Sequence, residues 1–166
     1  MNLTITIDGA KELGDDFEYV RRGLVDFRQL GTWKAVASNF RKIEKQAFDS
    51  EGGTTKSGKW KALKPKYAAA KLKRWGPVPI LTASGDLYRS LTQEGAKDAI
   101  YQETAQELVI GTSDKKAGYH QSGTSRMPKR SPIDFTPEQE KEMVQPVYDK
   151  LKQLIDNTKL RDKRGF

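Results

Sequence analysis

The residues most suggestive of chemistry lie in GGTTKSGKWKALKPKYAAAKLKRW, residues 52–75. Gly53, Gly58 and Lys59 keep the G-x-x-x-x-G-K spacing of a phosphate-binding loop, in which successive backbone N–H groups wrap a phosphate. That chemistry needs Ser or Thr next, to hold magnesium, and the chain has Trp60. It also needs a buried strand before the loop, whereas this one trails an amphipathic helical pattern, so a flexible glycine-rich loop is the better reading. The same stretch carries Lys56, Lys59, Lys61, Lys64, Lys66, Lys71, Lys73 and Arg74, interleaved with Trp60, Tyr67 and Trp75. Cations that bind phosphates and rings that stack on bases are what a single-strand nucleic-acid surface uses. No helix-turn-helix, RNA-recognition, KH or zinc-finger pattern accompanies them. The alternative is that Trp60, Leu63 and Tyr67 are apolar anchors pinning the loop to the core.

Other catalytic chemistry finds little to work with. His120 is the sole histidine, so one chain cannot build a two-histidine metal site, and no nucleophile-elbow pattern surrounds it. Cysteine is absent, which removes disulfides, thiolate catalysis and cysteine-bound zinc and suits a reducing compartment. The carboxylates lie among lysines on helical faces, as on a solvated surface. The expectation is a protein that is not an enzyme and takes no metal or cofactor.

The elements that must position these residues follow from composition and periodicity. A chain of 166 residues with 36% hydrophobic and 31% charged residues supports one domain with a modest core. No apolar run approaches the ~20 residues of a membrane span, and the N-terminus carries no secretion signal, so no membrane partner is expected. The net charge of +8 equals the eight cations between Glu51 and Asp86, a span with no carboxylate. Such a face attracts polyanions, nucleic acid or an acidic protein surface alike.

LTITID (3–8) alternates as a half-buried strand does. A helix capped by Asp15 or Asp16 follows, with Phe17, Val20, Leu24 and Phe27 on one face. Trp33, Val36, Phe40, Ile43 and Ala47 predict a second amphipathic helix over about 32–49, ended by Gly52 and Gly53. Pro65 precedes a short helix at 66–74. Thr82 or Ser84 caps another that carries Leu87 and Leu91. Residues 98–102 and 107–112 read as a hairpin. Residues 113–135 read as an extended polar loop. TPEQ (136–139) is a capping box opening a helix with Met143, Val147, Leu151 and Leu154 on its face; Pro146 kinks that helix or marks its true start. The chain frays from Asn157. The fold class is α+β: a small antiparallel sheet against two or three longer helices, with long polar loops. One domain over 1–158 thus contains a basic loop, 52–79, and an extended loop, 113–135, and a basic, disordered tail, 159–166, follows.

In order, F-x-x-E-G (48–52), G-K-W-K-A-L-K (58–64), Lys71, I-L-T-A-S-G-D-L-Y-R-S-L (80–91), V-I-G-T (109–112), Y-H-Q-S-G (119–123) and M-P-K-R (127–130) form a pattern. The set resembles the phage virion morphogenesis family, the tail-completion and head–tail joining proteins similar to those of phages Mu and P2. The resemblance covers about residues 40–135. In two places the chain departs from the family: Tyr119 directly precedes His120, without the usual spacer, and Pro132 stands where the family has Phe. The apolar anchor there must come from Ile133 or Phe135, or be missing.

The resemblance implies a structural protein acting in tail completion or head–tail joining, through ring-forming contacts between its own copies at the head-proximal end of the tail. Its partners are then itself, tail-tube and connector proteins, and DNA passing in the channel. Its location is the host cytoplasm during assembly and afterwards the virion. His120, Gln121, Arg126 and Arg130 are the candidate subunit-interface loop. Arg126 and Arg130 suit carboxylates across a subunit boundary. An ion pair within the chain is the other reading of Arg130, and His120 and Gln121 equally suit ordering their own loop. A small nucleic-acid-binding module using 56–75 is the alternative function.

Overall fold

A computed structural model describes residues 1–6 and 26–162, with side chains at 1–4 and 26–156. The elements are β1 (Asn2–Thr6), α1 (Thr32–Asp49), α2 (Pro65–Trp75), α3 (Asp86–Thr92), β2 (Ala99–Glu103), β3 (Glu107–Thr112), α4 (Lys115–Ser122) and α5 (Pro137–Asp162). The fold is α+β, as expected. The helix predicted from Asp15 or Asp16 lies outside the described residues apart from Phe27, which is buried against Trp33.

The sheet is antiparallel in the order β1-β3-β2, so β3 is central. Leu108 and Ile110 alternate along β3 and are both buried, as a one-sided sheet requires. α1 packs between α3 and α5, and α3 lies on β3. Trp33, Val36, Phe40, Ile43 and Ala47 are all buried, confirming the apolar stripe. The Trp33 Nε1 donates to the Thr104 carbonyl at 2.9 Å, tying the start of α1 to the hairpin turn. Ser90 joins α3 to β3: Asp114 N–H, Thr112 Oγ1, Ser90 Oγ and the Leu87 carbonyl form one chain of hydrogen bonds. Each hydroxyl has one proton, so the chain runs from Asp114 toward Leu87.

Four local expectations are corrected. The stretch 113–135 is not one extended polar loop: α4 opens it, because the Asp114 carboxylate caps Lys116 N–H at 2.9 Å. Only Ala117 of α4 is buried, so no apolar periodicity announced the helix. Beyond it, Ser131, Ile133 and Phe135 are buried, and Phe135 meets Phe40 edge-on, so both Ile133 and Phe135 supply the apolar anchor in the Pro132 region. At α3 neither Thr82 nor Ser84 caps the helix; Gly85 occupies that position and the Thr82 hydroxyl bonds to the Pro79 carbonyl instead. Pro146 does not start a helix, since α5 begins at Pro137 under the reciprocal Thr136–Gln139 capping box and runs through Pro146. The Glu142 carbonyl, which a residue with an N–H at 146 would bond, accepts from Asn39 Nδ2 at 2.9 Å instead. Finally, the chain does not fray at Asn157, because α5 extends to Asp162.

Candidate functional site

α1 ends in a Schellman motif. Gly52 N–H bonds to the Ala47 carbonyl at 2.7 Å and Glu51 N–H to that of Phe48 at 3.1 Å. Glu51 takes the left-handed conformation at φ 52°, and Gly52 follows at φ 85°. A Cβ on Gly52 would stand 2.5 Å from Cδ1 of Trp60, so glycine is required by conformation and by space. Trp60 is buried edge-on against Phe48, and its Nε1 donates to the Ser131 carbonyl at 3.1 Å.

The phosphate-loop spacing does not make a phosphate cradle. Its amides are already spent: Lys56 N–H on the Asp134 carbonyl, Ser57 N–H on the Asp134 carboxylate at 2.7 Å, and Gly58 N–H on the Thr55 carbonyl. The buried Thr55 hydroxyl closes the loop on the Gly52 carbonyl.

Beyond this loop, residues singled out by the sequence pattern brace the chain. Lys71 is 5% exposed, and its Nζ donates to the carbonyls of Val78 at 2.7 Å and Pro79 at 2.5 Å. Burial lowers its pKa, opposed by the Glu51 charge. The Glu51 Oε1 accepts from Ile80 N–H at 2.9 Å, so Glu51 and Lys71 together clamp residues 78–80. Arg130 is also 5% exposed, and its guanidinium donates to the carbonyls of Lys61 at 2.6 Å and Ala62 at 2.9 Å. It makes no ion pair among the described residues, which corrects the intra-chain ion pair offered for it. Gln121 bridges both ways to the backbone of Ile133, at 2.8 and 3.3 Å. Gly123, at φ 73°, passes so close to Lys129 that a Cβ would lie 2.8 Å from its amide nitrogen.

His120 is half-buried, and its Nδ1 has no hydrogen-bond partner among the described residues. Burial, then the Arg130 charge, lowers its pKa against the pull of Asp114, so the ring is neutral at pH 7.

Of the expected anchors, Trp60 is buried and Leu63 packs on the core, but Tyr67 is 51% exposed. It does not pin the loop; it lines a groove of about 590 Å³. The expected basic set divides accordingly. Lys56, Lys59, Lys61, Lys64, Lys66, Lys73 and Arg74 are exposed, while Lys71 is turned inward. Of the exposed ones only Lys64 lines the groove. Arg74 instead lies over the Trp75 ring, 4.5 Å from its centroid.

The groove joins two parts of the chain that the sequence reading kept apart. Leu63, Lys64, Tyr67 and Trp75 come from the basic segment; His120, Arg126 and Arg130 come from the candidate interface loop. Lys116, Tyr119 and Met127 also line it, and no carboxylate does. Sequence reasoning gave Lys116 no role because α4 was not foreseen. The 57% exposure of Tyr119 has no periodic signature.

The molecule is thus a small α+β domain in which buried polar residues brace long connections around one open, cationic, apolar-walled groove. It belongs to the phage virion morphogenesis family, whose family model matches residues 11–152, and so to a family of structural assembly proteins of the phage virion. No curated protein and no solved structure matches the chain significantly. Among the described residues no helix is long and apolar enough to cross a membrane, and no cluster of three or more His, Asp or Glu residues could hold a metal ion.

Proposed function

We propose that this protein completes the tail or joins head to tail in a tailed phage, through contacts between its own copies that close a ring at the head-proximal end of the tail. Tail-tube and head–tail connector proteins are its neighbours, and DNA passes close by in the channel. It assembles in the host cytoplasm and remains in the virion, at the tail or neck. The reading is non-enzymatic: the buried or bracing polar groups Glu51, Lys71, Ser90 and Arg130 are engaged in holding the chain.

The observation that carries the reading is the exposed cationic stretch, Lys56 to Arg74, beside an open groove in a chain of this family. The edges of the sheet at β1 and β2 add backbone groups suited to neighbouring subunits. Deletion of the gene from its phage should leave filled heads and separate tails in electron micrographs, with joined particles restored by the wild-type chain. Intact, infectious particles from the deletion would overturn the proposal.

A second reading, a nucleic-acid-binding module, draws on the Arg74–Trp75 stack and the exposed Tyr67 of α2. It requires micromolar binding to random-sequence DNA at physiological salt with a steep salt slope. Undetectable binding under those conditions removes it.

A further inference from the structure

The groove holds large apolar side chains that the fold leaves half in water. Tyr67 is 51% and Tyr119 57% exposed, over a floor that includes Leu63, Leu81 and Leu87. Covering such surface is favourable in proportion to the apolar area taken out of water. Its volume of about 590 Å³ is that of a ligand site for several side chains.

The charge of the groove is one-sided. Lys64, Lys116 and Arg126 are exposed on it, and the charges of Lys71 and Arg130 lie beneath, bonded only to backbone carbonyls. Lys64 and Arg126 have no ion pair among the described residues, and Lys116 reaches Asp86 and Asp114 only at 3.9 Å. An occupant must therefore bring apolar side chains inward and carboxylates to the rim.

Nucleic acid fits this less well. A base buried here gives up water at its edges, and two of the cations lining the groove, Lys71 Nζ and the Arg130 guanidinium, already serve carbonyls. We infer that the groove is a docking site for an acidic peptide segment of a partner protein, with a bulky aliphatic or aromatic side chain seated between Tyr67, Tyr119 and Met127. The inference deepens the assembly reading and rests on it only for the source of the peptide, another protein of the particle.

The test is selection of short random peptides, displayed on cells, against the full chain, with the Tyr119→Ala/Arg126→Glu double variant as counter-selection. Both positions are exposed, and unchanged melting temperatures verify that the variant folds. Enriched peptides should place Asp or Glu beside Leu, Phe, Tyr or Trp. The best of them, dye-labelled and followed by anisotropy, should bind about tenfold more weakly to Arg126→Glu, severalfold more weakly to Tyr119→Ala, and less tightly as salt rises. Enrichment of basic or uncharged peptides, or none above the double variant, overturns the inference. So does equal competition by a single-stranded DNA oligonucleotide. Self-association that Tyr119→Ala abolishes would assign the groove to a second copy and overturn it too. In the deletion phage the two proposals separate. A double variant that still joins heads to tails sinks the docking inference alone, whereas peptide selectivity with intact particles from the deletion sinks the assembly reading alone.

Discussion

Glu44 sits on the core side of α1 with no exposure, and neither carboxylate oxygen has a hydrogen-bond partner among the described residues. Burial raises its pKa well above the ordinary carboxylate range. The sign of its effect follows. The unfolded chain releases this proton near the model-peptide value of about 4.3, and the folded chain holds it to higher pH. Its contribution is therefore fully present below that unfolded value and is lost as pH rises through the folded one. Glu44→Gln should abolish this loss, and Glu44→Met should stabilise the protein at pH 8 by about 1–3 kcal/mol, measured by urea unfolding at pH 5 and pH 8. Equal pH dependence in wild type and Glu44→Gln would refute a neutral buried Glu44. His120 titrates in the opposite sense: its lowered pKa gives stability present above the unfolded value and lost as pH falls, and it is common to wild type and variant. Both residues show why burial is the hard part to read. In the sequence Glu44 stands between lysines and resembles any solvated helix charge.

At the scale of elements, periodicity was legible wherever a helix or strand buried a regular face. The α1 stripe, the hairpin and the α5 capping box all stand as read. At Pro146 the reading failed because a tertiary contact replaced a local one. Pro146 removes an N–H from α5, but the orphaned Glu142 carbonyl is served by Asn39 of α1, so the helix continues. This predicts coupling. Asn39→Leu should cost about 1 kcal/mol in the wild type and much less in Pro146→Ala, where a restored N–H serves the same carbonyl. Additive costs in that double-mutant cycle, followed by thermal unfolding, would show that Asn39 does not compensate for the proline. α4 failed for a different reason: with Ala117 as its one buried residue it has no face to detect, and only the Asp114 cap marks it.

Across the whole molecule, stability and surface charge are carried by different residues. Lys71 and Arg130 are structural although the sequence places them in a basic run and a loop; Lys56, Lys59, Lys61, Lys66 and Lys73 are exposed cations. Changing those five lysines to Gln should leave the melting temperature within about 3 °C, since exposed substitutions each shift stability by within roughly 0.5 kcal/mol of either sign and largely cancel. Lys71→Gln alone should lower it by more, because the carbonyls of Val78 and Pro79 lose their donor. A larger loss from the five exposed changes would reverse this division of roles.

By itself the sequence determined the α+β class, the helical and strand periodicities, the concentration of positive charge between Glu51 and Asp86, and the family pattern. These are local or summed properties, and neighbours along the chain are enough to express them. Only the tertiary structure decided that Gly52 makes room for Trp60, and that Lys71 and Arg130 hold carbonyls of distant segments. It alone brought Tyr67 and Arg126 to one groove. The reason is that burial and hydrogen-bond partners are set by residues far apart in the chain, and no spacing rule records which carbonyl a buried cation will meet.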